Sequence, residues 1–213
     1  MRFEDLLAEV ADEPVFETGL LLAGNRDPDD VRRQLSRWVK AGRLHQLRRG
    51  LYALAPPFAK VRPHPFVVAN RIQPGSYVSL QAALSHFGLI PEYVPVVTSV
   101  GRGRPQRLET PLGVFDFRHL QEDLVSHYRW IEVDRRRCAY VAAPEKALLD
   151  LVYLEPGADR PEYLRELRLQ NVEILDAGEL ERIARDLGKP KLERAARRLA
   201  ALIETELTAY EAL

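Results

Sequence analysis

Residues 26–55 read RDPDDVRRQLSRWVKAGRLHQLRRGLYALA, and this stretch decides the fold that we predict for the start of the chain. From Asp30 to Lys40 the apolar residues recur at helical spacing. The stripe that they form consists of Val31, Leu35, Trp38 and Val39. The opposite face is mostly basic, and Gly42 follows the helix in the way a C′ glycine does. The stretch therefore predicts an amphipathic helix with a basic outer face.

Two short β-like runs follow this helix, Leu44–Leu47 and Leu51–Leu54, with two arginines and a glycine between them. A basic helix followed at once by a small hairpin is typical of the second half of a winged helix-turn-helix. In that arrangement the helix enters the major groove of DNA, and the hairpin lies beside the sugar-phosphate backbone. The pattern thus favours a nucleic-acid-binding module.

The upstream sequence agrees with this interpretation. A first helical stripe consists of Phe3, Leu6, Leu7 and Val10. Pro14 is expected to end that helix, Val15–Ala23 to form a second one, and Gly24-Asn25 to form a turn. Asp27 then provides an N-cap, and Pro28 occupies the first helical position. Residues 1–56 are therefore predicted to form a winged helix-turn-helix domain.

Charge is distributed unevenly along the chain. The whole chain is neutral, with 31 Lys and Arg against 31 Asp and Glu. Residues 26–62 contain ten basic and three acidic residues, so their net charge is +7, whereas residues 1–25 have a net charge of −5. A local basic segment in a neutral chain favours a defined DNA footprint over nonspecific binding.

The predicted partner is double-stranded DNA, bound by residues of the basic helix and of the hairpin. The residues that we expect to contact DNA are Arg32, Arg33, Ser36, Arg37, Lys40, Arg48 and Arg49. The alternative is that these side chains form the solvated face of a surface helix. The hairpin directly after the helix favours the first interpretation.

Composition excludes several other classes of protein. The chain has no run of 18 apolar residues, its acidic N-terminus lacks a signal-peptide core, and its one cysteine excludes a disulfide within the chain. We expect a cytoplasmic protein without a membrane association. The common nucleotide-binding, zinc-protease and serine-hydrolase motifs are absent, so we expect no enzyme activity, no metal and no cofactor.

The second half of the chain is predicted to be a separate domain. Residues 57–63 read as a proline-rich linker, and residues 64–213 as an α+β domain with a small, largely antiparallel sheet and a helical C-terminal part. The predicted helices and strands are Phe66–Arg71, Ser76–Phe87, Val94–Val100, Arg107–Thr110, Val114–Phe117, Tyr128–Val133, Ala139–Ala142, a helix from Pro144, and helices over 161–170, 177–187 and 190–210.

Four stretches of the chain resemble the AbiEi-type antitoxin family of type IV toxin–antitoxin and abortive-infection systems. They are LRRGLYAL (47–54), YVSLQAALSHFGLIPE (77–92), VTSVGRGRPQRLETPLGVFDFRHL (97–120) and AAPEKALLDLVYL (142–154). Their order and spacing after a winged helix-turn-helix carry the resemblance, which covers residues 1–155. It implies an N-terminal domain that binds inverted repeats at its own promoter. It also implies a C-terminal antitoxin domain and a nucleotidyltransferase toxin as functional partner.

The segment Gly101–Arg107 is a second candidate surface. Glycine and arginine alternate there, so Arg102, Arg104 and Arg107 are expected to reach a phosphate or a protein partner. The alternative is a solvated loop.

Three further possibilities stay open from the sequence. The apolar stripe of the last helix belongs either to the core or to a homodimer that forms on DNA. A nuclease would use Asp116 and Glu132 together with Glu145 and Lys146, although their spacing is loose. The main alternative to the antitoxin is a solitary winged-helix transcriptional regulator whose C-terminal domain senses a ligand or partner.

Overall fold

The computed structural model describes residues 1–10, 13, 15–23, 26–92, 94–134 and 137–211, with side chains up to residue 208. Pro14 and Gly24-Asn25, for which the sequence predicts a helix end and a turn, lie outside the described residues. Helices and two sheets follow one another along the chain, which confirms the predicted α+β class.

The N-terminal module has the topology of a winged helix. Its elements are α1 (Phe3–Val10), β1 (Phe16–Glu17), α2 (Thr18–Leu22), α3 (Pro28–Lys40), β2 (Leu44–Arg48) and β3 (Leu51–Leu54). The strands form an antiparallel sheet in the order β1-β3-β2. The helices pack on this sheet around buried side chains of Phe3, Leu6, Val10, Phe16, Leu21, Val31, Leu35, Trp38, Leu44, Tyr52 and Leu54.

The helix predicted over Val15–Ala23 is wrong at its start, because strand β1 precedes the helix. Phe16 pairs with Tyr52 and Glu17 with Leu51 across the antiparallel ladder. These pairing partners lie 36 and 34 residues further along the chain, and local hydrophobic periodicity carries no information at that separation. The helical part is therefore shortened to Thr18–Leu22.

The second module begins with α4 (Pro65–Ile72) and contains one six-stranded sheet. Its strands and the helix among them are β4 (Ser76–Val78), α5 (Leu80–His86), β5 (Val96–Gly101), β6 (Gln106–Thr110), β7 (Gly113–His119), β8 (Tyr128–Asp134) and β9 (Arg137–Ala142). The strand order is β6-β7-β5-β4-β9-β8. The predicted hairpin at Pro111-Leu112-Gly113 is confirmed, since Thr110 pairs with Gly113.

This sheet is larger than the small sheet expected, and it is mixed. Three neighbouring pairs are antiparallel, but β5 runs parallel to β7 and β4 runs parallel to β9. The expected helix over Ser76–Phe87 is wrong in its first part, because Ser76–Val78 forms the central strand β4. This short strand joins β5 to β9, so it is specified by long-range pairing and not by its own periodicity.

Helices complete the second module. They are α6 (Pro144–Leu154), α7 (Pro161–Glu166), α8 (Ala177–Leu187) and α9 (Pro190–Glu211), with single 3-10 turns at Glu122–Leu124 and Val172–Ile174. The helix predicted over 161–170 ends earlier, because Arg168 and Asn171 adopt left-handed backbone conformations. The apolar stripe of α9 packs on α6 and α8, so the core uses it.

The two modules share a core. Val15, Leu47, Leu51 and Ala53 of the N-terminal module are buried in the same apolar cluster as the strands and helices of the second module. Within the predicted linker, Phe58 packs edge-on against Phe3, with ring centroids 4.9 Å apart. The proline-rich segment therefore belongs partly to the N-terminal core, and strands β2 and β3 of the winged-helix sheet pack on the second module.

Candidate nucleic-acid interface

Helix α3 is built as the sequence predicts. The Asp27 carboxylate accepts a hydrogen bond of 2.8 Å from the backbone N–H of Asp30, which caps the helix. Gly42 has a φ of +69°, as a C′ residue requires. Trp38 is buried and lies edge-on to Phe3 at 5.3 Å between ring centroids. The apolar stripe thus faces the core and turns the basic face outward.

The exposed face of α3 is a mixture of paired and unpaired cations. Arg32 bonds to Asp29 at 3.0 Å, and Arg33 bonds to Asp30 at 2.6 Å. Ser36, Arg37 and Lys40 are exposed, and the side chains of Arg37 and Lys40 make no hydrogen bond or ion pair with the described residues. Exposed ion pairs of this kind are weak, so Asp29 and Asp30 hold the two arginines only loosely. The unpaired charge is concentrated in the second half of the helix.

The hairpin joins β2 to β3 through a two-residue turn, Arg49–Gly50. Arg49 is exposed, and its guanidinium makes no bond with the described residues. Arg48 is different, because its guanidinium is bound to Glu17 and to the backbone carbonyls of Arg49 and Arg71. The sequence predicts the same role for both arginines, whereas in the structure only Arg48, of these two, has side-chain partners among the described residues.

The basic loop Gly101–Arg107 runs from the last residue of β5 into the edge strand β6, so that Arg107 lies on that strand. Arg104 and Arg107 are exposed and make no bond with the described residues, but Arg102 is paired with Glu122. Gly103 lies against Gln73 so closely that a Cβ atom would overlap that side chain. Strand β6 contacts β2. The loop is therefore ordered by close packing and lies on the side of the second module nearest the hairpin.

The acidic residues considered for a nuclease are not brought together. Asp116 is on β7 and Glu132 is on β8, and three strands separate these two in the sheet. At about 4.8 Å per strand, their backbones are roughly 19 Å apart. The Glu145 carboxylate accepts a bond of 3.0 Å from the N–H of Asp176 at the start of α8. Within the part of the chain that the structure describes, His, Cys, Asp and Glu side chains form no group that resembles a metal site.

A buried polar network joins α6 to β4. The sequence indicated the pair of Lys146 and Asp150, four residues apart on one helix, and the structure confirms that they bond. The Asp150 carboxylate also accepts bonds from Tyr77 (3.0 Å) and Ser79 (2.7 Å), which the sequence did not indicate. Burial raises the pKa of Asp150, and the Lys146 ammonium and the two hydroxyl donors oppose that shift. Lys146 has no exposed surface, so the network has a structural role.

Two further surface features were not apparent from the sequence. Trp130 and Tyr140 pack at 4.6 Å between ring centroids on strands β8 and β9 and are exposed. A groove of about 410 Å³ lies between α4, α5 and the β6–β7 turn, and it is lined by Phe66, His64 and His86 among others. Burial lowers the pKa of both histidines. The groove combines residues that are distant in the sequence, whereas the Trp130–Tyr140 pair depends on the register of β8 against β9.

No helix of the described residues is both long and apolar enough to cross a membrane. No family model matches the chain, and a search of curated proteins finds no match. Among solved structures, the chain is similar to the crystal structure of the RV2827C protein from Mycobacterium tuberculosis, with 21% sequence identity and a TM-score of 0.52. The alignment covers 92% of this chain and 75% of that chain. At this identity the similarity concerns the fold.

Proposed function

We propose that this protein is a sequence-specific DNA-binding regulator that inserts α3 into the major groove of double-stranded DNA. The observation that carries the proposal is the exposed basic face of α3 on a winged-helix module. Among the residues that the structure describes, the side chains of Arg37 and Lys40 have no hydrogen-bond or ion-pair partner, and neither does that of Arg49 at the adjacent hairpin. An α-helix fits into the major groove of DNA, and unpaired guanidinium groups on its exposed face can bond to guanine bases and to phosphates.

The resemblance to AbiEi-type antitoxins supports a more specific proposal, that the regulator is the antitoxin of a type IV toxin–antitoxin system. In this form the protein represses its own promoter, and its second module counteracts a nucleotidyltransferase toxin. Arg104 and Arg107 are the proposed contact residues of that module, with Arg102 as a weaker candidate because Glu122 already pairs with it. The membership in this family and the toxin partner are parts of the proposal.

The second candidate function is a solitary regulator with a sensing C-terminal module. The groove of about 410 Å³ beside Phe66 favours this alternative, since its volume lies within the range of small-molecule sites. Ligand binding there would act on α4, which contacts the N-terminal module through Arg71.

DNA binding is tested by fluorescence anisotropy with the upstream region of the protein's own gene and a scrambled duplex of equal length. We expect preferential binding of the upstream region and loss of this preference in Arg37→Ala. Arg197→Ala is the matched control, because Arg197 is an exposed arginine on α9 that likewise has no partner among the described residues. Equal affinity for both duplexes would refute the proposed sequence specificity.

The antitoxin form is tested by growth rescue in cells that express an adjacent nucleotidyltransferase gene. We expect rescue by the native protein and loss of rescue in the Arg104→Ala/Arg107→Ala variant at equal abundance. A gene neighbourhood without such an enzyme, together with DNA affinity that changes on addition of a small molecule, would instead favour the solitary regulator.

A further inference from the structure

Arg48 differs from the other basic residues of the candidate interface because its guanidinium bonds to groups of three different elements. Nη1 donates to the Arg49 carbonyl at 3.1 Å, and Nη2 donates to the Arg71 carbonyl of α4 at 3.3 Å. Nη2 also lies 3.5 Å from the Glu17 carboxylate on β1. The side chain is 33% exposed, and its Nε is buried. One side chain thus connects the hairpin, β1 and α4.

Other bonds hold the same region from both sides. The N–H of Thr18 donates to the Gly50 carbonyl at the hairpin turn at 2.9 Å. The Arg71 guanidinium donates to the Val15 carbonyl at 3.3 Å, just before β1. The hairpin turn is therefore fixed to the start of α2, and the segment before β1 is fixed to α4.

Buried side chains also restrict the position of the hairpin. Leu47 and Leu51 flank the turn and are buried in the core of the second module. The turn itself has only two residues, so a displacement of Arg49 requires a displacement of these buried side chains. The orientation of the hairpin is consequently set by the second module.

We infer that Arg48 is a positioning residue, which fixes the hairpin against α4 so that Arg49 and α3 meet DNA together. It does not itself neutralise a phosphate, contrary to the expectation from the sequence. The inference rests on the proposed DNA binding for its functional part. Its structural part is the set of bonds from the Arg48 guanidinium to Glu17 and to the Arg49 and Arg71 carbonyls, which we call the clamp. The clamp exists in the protein without DNA.

Hydrogen exchange of the full-length protein without DNA tests the clamp. In Arg48→Ala we expect the amides of Thr18 and of the hairpin to exchange at least about tenfold faster than in the native protein. Arg49→Ala is the matched control and should exchange at the native rate, because its guanidinium has no partner among the described residues. Native exchange rates in Arg48→Ala would overturn the inference.

Salt titration of DNA affinity tests the functional part. Each lost phosphate contact makes the slope of log K against log salt about one unit shallower. We expect this change in Arg49→Ala, whereas Arg48→Ala should bind about tenfold more weakly with the native slope. A shallower slope or native affinity in Arg48→Ala would overturn the positioning role.

Two further variants keep the test decisive if Arg48→Ala is poorly folded. Arg48→Lys keeps the charge but lacks the forked donors, so we expect weaker binding at the native slope; native affinity would contradict us. Glu17→Ala removes a negative charge, yet we expect weaker binding because the clamp loses a partner. Stronger binding would mean that Arg48 is released to a phosphate, which would overturn the positioning role.

If the native protein binds no DNA, the proposed function fails, and hydrogen exchange still decides whether the clamp exists.

Discussion

At the scale of single residues, DNA affinity is expected to depend most on Arg37 and Lys40, because neither side chain has a partner among the described residues. We predict that Arg37→Ala reduces specific affinity by about 1–3 kcal/mol, the usual value of a base-edge contact. Arg32→Ala should have a smaller effect, because an Arg32 contact with DNA is partly offset by the loss of its ion pair with Asp29. Titrations of both variants at fixed salt measure the difference, and a larger loss in Arg32→Ala would contradict this order. Another residue-scale prediction concerns the buried pair on α6. Lys146→Met leaves the buried Asp150 without its ionic partner, so we expect a loss of about 3–5 kcal/mol in the free energy of unfolding. The double variant Lys146→Met/Asp150→Leu removes both charges and should recover a large part of that loss, as urea denaturation would show. A double variant as unstable as the single one would mean that the network as a whole stabilises the fold.

At the scale of elements, α3 depends on its N-cap. Asp27→Ala removes the acceptor for the N–H of Asp30, and we predict a loss of about 0.5–2 kcal/mol in the free energy of unfolding. Asp27→Ser is the matched control, because serine also caps helices and should retain most of the stability. Thermal melting of the three proteins checks this. Equal melting temperatures for the alanine and native proteins would show that Pro28 alone suffices to start the helix.

At the scale of the whole molecule, the shared core predicts cooperative unfolding. The chain has two tryptophans, Trp38 in the N-terminal module and Trp130 in the second. Because Leu47 and Leu51 belong to the core of the second module, we expect the Trp38→Phe and Trp130→Phe variants to report coincident unfolding by fluorescence. Each curve is compared with circular dichroism of the same variant, which corrects for the effect of the substitution. A fluorescence transition that does not coincide with the circular dichroism transition of the same variant would instead support independent domains, as the proline-rich segment suggested. The whole molecule should also lose stability in mildly acidic solution. Burial lowers the pKa of His64, His86 and His127, so the folded state disfavours their protonation. The unfolded state then binds more protons below its histidine pKa of about 6.5, and the melting temperature should fall between pH 7 and pH 5. His64→Asn keeps an acceptor for the N–H of Phe66 and removes one titrating group, so its decrease should be smaller. A decrease that begins only below about pH 4.5 would assign the effect to carboxylates.

The sequence by itself determined the elements that depend on neighbouring residues. Helix α3, its cap at Asp27, its end at Gly42 and its basic face follow from spacings of three to four residues, and the structure confirms them. Only the tertiary structure decided the features that depend on distant residues. Strands β1 and β4 exist because partners far along the chain complete their ladders. Arg48 is bound because α4 places the Arg71 carbonyl beside it, 23 residues away. Hydrophobic periodicity predicts which face of an element is buried, but not which other element covers that face. Because α4 lies beside Arg48 and not beside Arg49, Arg48 is bound, whereas Arg49 has no side-chain partner among the described residues.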